Sequence, residues 1–152
     1  MPNMEWSQLS KMQLGRYAEY YAKMEFTSYG FEVYTSEVDD HGLDFIIKSP
    51  NKDTFYEIQV KSIRDKGYIF IEKTKMANLD NTRLVCVLRF TDGNLPEFYI
   101  IPASAWKQPN DLLVDRNYNN TKSKPEWGIN ISKKNLELLN NYSEEKIIKK
   151  IK

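Results

Sequence analysis

The chain has 152 residues, of which 41% are hydrophobic and 13% aromatic. That suits one domain with a sizeable core and excludes a disordered chain. No apolar run approaches the roughly 20 residues a membrane helix needs. The opening Met1-Pro2-Asn3-Met4-Glu5-Trp6 lacks the basic and then apolar pattern of a secretory signal. One cysteine, Cys86, allows neither an internal disulfide nor a cysteine-rich zinc cluster, and a cytoplasmic protein is expected. The formal net charge of +1 is unevenly spread: residues 1–60 hold five basic and ten acidic side chains, residues 61–152 seventeen and eleven. An acidic front and a basic rear suit metal ligands in one half and phosphate contacts in the other.

The first element is a helix. Ser10 and Gln13 have capping-box spacing and Leu9 with Leu14 has hydrophobic-staple spacing. Leu14, Tyr17, Ala18 and Tyr21 recur at helical intervals, and Gly30 supplies a stop, so a helix is predicted over 11–29. Strands follow over 31–35 and 43–48, separated by the turn-rich 38–42. A loop over 49–53 leads into a third strand over 54–61 and a short fourth over 68–71. After an irregular link at 73–80, the near-continuous apolar run of residues 83–90 predicts a strand covered on both faces. A further strand is predicted over 97–101 and a last one over 127–131, with Ser132 capping a helix that begins at Lys133. In the tail, Ile147, Ile148 and Ile151 stand at helical spacing among lysines.

The third strand carries the most chemical information. A period of two places Tyr56, Ile58 and Val60 on one face and Glu57, Gln59 and Lys61 on the other. Asp44 is the only charge between Leu43 and Ile47, and an aspartate is poor in strands and costly to bury unpaired. Folding the second strand over the 49–53 loop sets Asp44 opposite Glu57 or Gln59, on the face that also holds Lys61. Glu19 lies between the small residues Gly15 and Ala22, which would let the first helix come close to the sheet. Such a cluster suits phosphodiester hydrolysis. Mg²⁺, with Mn²⁺ as a substitute, takes hard oxygen ligands: Asp44, an oxygen of Glu57 or Gln59, and the Val60 carbonyl. Lys61 would orient the attacking water and stabilise the transition state.

Asp44 followed by Glu57-Ile58-Gln59-Val60-Lys61 resembles the PD-(D/E)xK, or restriction endonuclease-like, nuclease superfamily. Within it, the order of elements is most similar to the Holliday-junction-resolvase and Mrr-like branches. Tyr99-Ile100-Ile101-Pro102 and Pro125-Glu126-Trp127-Gly128 resemble segments of bacterial relatives. The resemblance implies an α/β fold: an N-terminal helix and then a mixed central β-sheet (αβββ…β). It implies a nuclease-like core over 1–102 and a C-terminal extension over 103–152 packed on it as part of a single domain. Asp44 then corresponds to the first metal-binding aspartate, Lys61 to the catalytic lysine, and Glu19 to the helical glutamate of the resolvase-like branches. Gln59 stands where most members have an acid, and Leu43 where the motif has its proline; a Gln-x-Lys variant occurs in some branches. The implied activity is metal-dependent DNA endonuclease on double-stranded or branched DNA, by a homodimer or higher homo-oligomer.

A contrasting reading is a catalytically inactive nucleic-acid- or protein-binding module that keeps the fold, with Gln59 as the mark of decay. Retention of both Asp44 and Lys61 favours the enzyme. For phosphate contact, the candidates are Arg64, Lys66, Lys73 and Lys75 after the motif, and Lys122 and Lys124 further on; such residues set affinity rather than sequence choice. Asp39, Asp40 and His41 read as a turn, Cys86 as inert core, and the three tryptophans as core anchors.

Overall fold

The computed structural model describes residues 2–35, 42–119 and 122–152; Asp39, Asp40 and His41 lie outside them. Helix α1 spans Lys11–Ser28 and begins on the expected cap. The Gln13 N–H donates to Ser10 Oγ at 3.1 Å and the Ser10 N–H to Gln13 Oε1 at 2.9 Å. Gly30, at φ +92°, takes the left-handed conformation that ends the helix. Strands β1 (Glu32–Thr35), β2 (Phe45–Lys48), β3 (Phe55–Arg64), β4 (Gly67–Glu72), β5 (Arg83–Phe90), β6 (Glu97–Pro102), β7 (Leu113–Arg116) and β8 (Glu126–Ile131) follow. Helices α2 (Leu136–Asn140) and α3 (Glu144–Ile151) come last.

Two sheets form. The larger has the order β1-β2-β3-β5-β6, antiparallel throughout except for the parallel β3–β5 pair. The smaller has the order β4-β8-β7 and is antiparallel. β4 follows β3 after a two-residue turn yet belongs to the other sheet, so the two strands diverge and open a groove between them.

Each face of the larger sheet has its own core. On one face α1 buries Leu14, Ala18, Ala22 and Phe26 against Phe45, Ile47, Ile58 and the alternate β5 residues Leu84, Cys86 and Leu88. α3 adds Ile147, Ile148 and Ile151 to that core, so the amphipathic tail lies on the sheet. On the other face Val85 and Val87 meet Ile69, Ile71, Trp106 and Ile129 of the smaller sheet and its flanks. β5 is thus covered on both sides, as its apolar run requires.

Departures from expectation include the extension of β3 three residues past 61, to Arg64. β2 begins at Phe45 instead of residue 43, which leaves Asp44 just outside the strand. β7 was not expected, because its four residues include Asp115 and Arg116 and bury fully only Leu113. The segment after Ser132 starts as a 3₁₀ turn, Lys133–Asn135, in which Ser132 Oγ accepts the Asn135 N–H, before α2 begins.

Candidate active site

The β2–β3 register pairs Phe45 with Ile58 and Ile46 with Glu57. Asp44 therefore comes next to Gln59. Its own N–H donates to the Ile58 carbonyl at 2.9 Å, and its Oδ2 accepts the Val60 N–H at 2.6 Å. Ile58 and Val60 turn their backbone groups to the same strand edge. The Asp44 carboxylate thus stands in for a ladder carbonyl at the point where β2 has not yet begun.

Across the pleat, Gln59 and Lys61 sit beside Val85 and Val87 of β5, on the face toward the smaller sheet. Lys61 is half-buried. Burial pushes its ammonium below the ordinary 10.5, the nearby Lys75 charge pushes the same way, and the Asp44 carboxylate opposes both. Gln59 is 5% exposed. Gly42, at φ +76°, closes over it: a Cβ there would lie 3.1 Å from Gln59 Nε2 and 3.4 Å from Lys75 Cδ. Only glycine suits both that conformation and that approach.

Arg83, the first residue of β5, is 9% exposed and was not singled out from the sequence. Its guanidinium donates to Gln59 Oε1 at 3.3 Å, to the Lys75 carbonyl at 3.1 Å and to Glu57 Oε2 at 3.2 Å. The Glu57 carboxylate is held by Arg83 at the solvent-exposed end of the row, one step further from Lys61 than Gln59. The only signal in the sequence was an arginine opening an apolar strand. Its pairing with Glu57 depends on the parallel β3–β5 register.

Glu19 approaches from the α1 side of the sheet. Its carboxylate pairs with Lys23 at 3.3 Å, and the Lys23 ammonium lies 5.5 Å from the centre of the Phe45 ring. Glu19 therefore stands near the start of β2, on the helix side of the sheet.

The groove between β3 and β4 has a volume of about 710 Å³, with Gln59 and Lys61 among its lining residues. Lys11, Lys66 and Lys75 make it strongly basic, against Glu72. Arg64 also lines it, but its guanidinium donates to the Trp6 and Leu9 carbonyls and fastens the segment before α1. Lys73 is engaged elsewhere: it pairs with Asp115 and lies 4.1 Å from the centre of the Trp127 ring. Lys124 is 3.9 Å from Glu72, and neither it nor Lys122 lines the groove. Lys11 is a further groove cation that the sequence reading did not include.

Among the described residues no three Asp, Glu, His or Cys side chains gather as a metal-holding cluster. The oxygen donors at hand are the Asp44 carboxylate, the Val60 carbonyl on the same edge and the Gln59 amide. A sparse set of hard oxygens with one carboxylate fits Mg²⁺, which keeps several waters and takes the rest of its shell from substrate phosphate.

No family model matches the sequence, and no curated protein is significantly similar to it. Solved structures do match. Hjc, a Holliday junction resolvase from the archaeal hyperthermophile Archaeoglobus fulgidus, aligns at a TM-score of 0.45 and 12% identity, over 73% of this chain and 86% of that one. The bacterial homing endonuclease I-Ssp6803I aligns at a TM-score of 0.46 and 18% identity, over 76% of this chain and 83% of that one. A likeness of that size decides nothing about the chemistry of the present chain, which rests on its own residues. No helix among the described residues is long and apolar enough to cross a membrane.

Proposed function

We propose that this protein is a divalent-metal-dependent DNA endonuclease, with Asp44, Gln59 and Lys61 as its catalytic residues and Val60 as a backbone ligand. The observation that carries the reading is the half-buried Lys61, beside Asp44, on the wall of a lysine-rich groove. A structural lysine gains nothing from such desolvation; an amine that must meet a phosphate does.

Lys11, Lys66 and Lys75 draw the DNA backbone into the groove through its phosphates. Asp44, the Val60 carbonyl and the Gln59 amide would hold the metal ion, which when bound supplies Lewis acidity at the scissile phosphate and a more acidic water. Lys61 donates hydrogen bonds toward the phosphate, where charge grows as water oxygen bonds to phosphorus and the bond to the leaving oxygen breaks. Its lowered pKa makes it a readier proton donor than an ordinary lysine to the leaving oxygen, while the attacking water releases its proton to bulk solvent. Arg83 fixes Gln59 and the Lys75 backbone and is a positioning residue. Glu19 serves from the helix side of the sheet, by holding Lys23 near the start of β2. Cutting both strands of a duplex takes two such sites, so a homodimer or larger homo-oligomer belongs to this reading.

One observation favours a second reading, a nucleic-acid-binding module without catalysis: the Gln59 carbonyl oxygen already accepts from Arg83. Incubation of the purified protein with plasmid and branched DNA in Mg²⁺ or Mn²⁺ separates the two. Cleavage that is lost in Lys61→Ala supports the nuclease. Binding without cleavage under all these conditions supports the module.

A further inference from the structure

The outer face of the smaller sheet carries an aromatic pair that the catalytic reading does not use. β4 alternates, sending Ile69 and Ile71 into the core and Tyr68 and Phe70 outward. The two rings lie 6.5 Å apart, nearly parallel at 21°. Phe70 is 50% exposed, and both residues border the same groove as Lys61.

Tyr68 is braced from several sides. Its ring fills the space above Gly128, where a Cβ would fall 2.1 Å from the hydroxyl oxygen and 2.5 Å from ring carbons. Its hydroxyl donates to Glu126 Oε2 at 2.5 Å, and the Arg116 guanidinium carbon is 4.4 Å from the ring centre. Burial and the Glu126 carboxylate both push the hydroxyl pKa up, so it remains a donor. Gly128 is also the register partner of Phe70, so no β8 side chain stands directly opposite that ring. The result is a fixed tyrosine supporting an open phenylalanine, a few residues from cations that attract phosphate.

We propose that Phe70, backed by Tyr68, is a stacking platform for one unpaired nucleobase of the DNA held in the groove. The inference rests on the nuclease reading and narrows its substrate to DNA with a single-stranded tail, flap or extruded nucleotide. The chemistry is specific. Bases inside an intact duplex hide their faces against each other, and away from a duplex end a ring projecting from a sheet can stack only on a base that has left the helix. An aromatic ring beside backbone-binding cations is the combination that single-stranded DNA rewards. A protein partner would use the apolar ring but not the line of lysines next to it.

The test is binding in the presence of a chelator, so that cleavage plays no part. Wild-type protein is titrated against a blunt duplex and against the same duplex with a single-stranded tail holding a fluorescent adenine analogue. The tailed DNA is expected to bind tighter and the analogue to be quenched. Phe70→Ala should weaken tailed-DNA binding by about tenfold or more and abolish the quenching, with the blunt-duplex affinity unchanged. Phe70→Trp should keep both. Circular dichroism checks that each variant is folded, which an exposed position should allow. Equal affinity for the two DNAs, quenching that survives Phe70→Ala, or no binding to either DNA overturns the platform. A tail preference in a protein that never cuts DNA would keep the platform and sink the nuclease; cleavage without tail preference would do the reverse.

Discussion

The Asp44 carboxylate accepts the Val60 backbone N–H at 2.6 Å while it also acts on the charge of Lys61. One side chain thus completes a sheet hydrogen bond and borders the proposed catalytic amine. The two roles separate by substitution. Asp44→Asn keeps an acceptor for Val60 and should leave the urea midpoint close to wild type. Asp44→Ala orphans the N–H and should cost about 1 kcal/mol. Both should lower DNA cleavage by about a hundredfold or more, since neither offers a carboxylate to a metal. An asparagine variant that cuts normally would remove Asp44 from the site.

Lys61 should make the protein less stable at neutral pH than it would otherwise be. Its folded pKa lies below the ordinary 10.5, so between the two values the unfolded chain binds more protons and stability rises with pH. Below the folded pKa the penalty of the half-buried charge is present in full. Lys61→Met should therefore raise the urea midpoint near neutral pH, with a gain over wild type that shrinks as pH approaches about 10.5, while cleavage is lost. Comparing the two proteins at each pH cancels the tyrosine titrations. A variant that is destabilised at neutral pH would mark Lys61 as structural.

What could be read from the sequence was what short-range chemistry decides. Ser10 and Gln13 cap α1 through bonds three residues apart, and the alternation of Tyr56 to Lys61 assigns faces without reference to any partner. The run from Leu84 to Leu88 declares burial on both sides by its composition. The remainder depended on long-range pairing. Arg83 meets Glu57 and Gln59 only because β3 and β5 are parallel in one register. β4 leaves β3 for β8 at a turn where Asp65, at φ +50°, and Gly67 redirect the chain. The strand pattern itself shows no preference for either sheet. Asp44 looked like a strand residue because the sequence does not show a side chain replacing a ladder carbonyl.

Arg83 links Gln59 and Glu57, and the two should respond differently. Gln59 is buried and Glu57 is half in solvent. Glu57→Gln should change stability by less than about 1 kcal/mol, as for other exposed ion pairs, and leave cleavage within a few fold. Gln59→Ala should strip Arg83 of a buried acceptor, cost about 1–3 kcal/mol, and reduce cleavage sharply. Urea unfolding and single-turnover cleavage on the same preparations check both halves. Loss of cleavage in Glu57→Gln with normal cleavage in Gln59→Ala would exchange their roles.

The docking of α3 should weaken as pH rises. Glu144, the first residue of that helix, has a pKa pushed up to about 8. Burial is the largest cause, followed by the hydrogen bond and charge of Glu25 on α1 and the charge of Glu145, with a Tyr29 hydrogen bond opposing them. One carboxyl oxygen of Glu144 is buried without a hydrogen-bond partner. A raised folded pKa means that the folded chain holds the proton more tightly, so this contribution is complete below the ordinary 4.5 and is lost progressively up to about 8. Glu144→Gln stays neutral and should flatten the fall in stability across that window, with its largest gain over wild type above the folded pKa. Parallel pH–stability curves for wild type and variant would show instead that Glu144 titrates as an ordinary surface carboxylate. Because Ile147, Ile148 and Ile151 of the same helix complete the core under α1, the loss should also appear as faster amide exchange in α3 at high pH, after correction for the intrinsic rate.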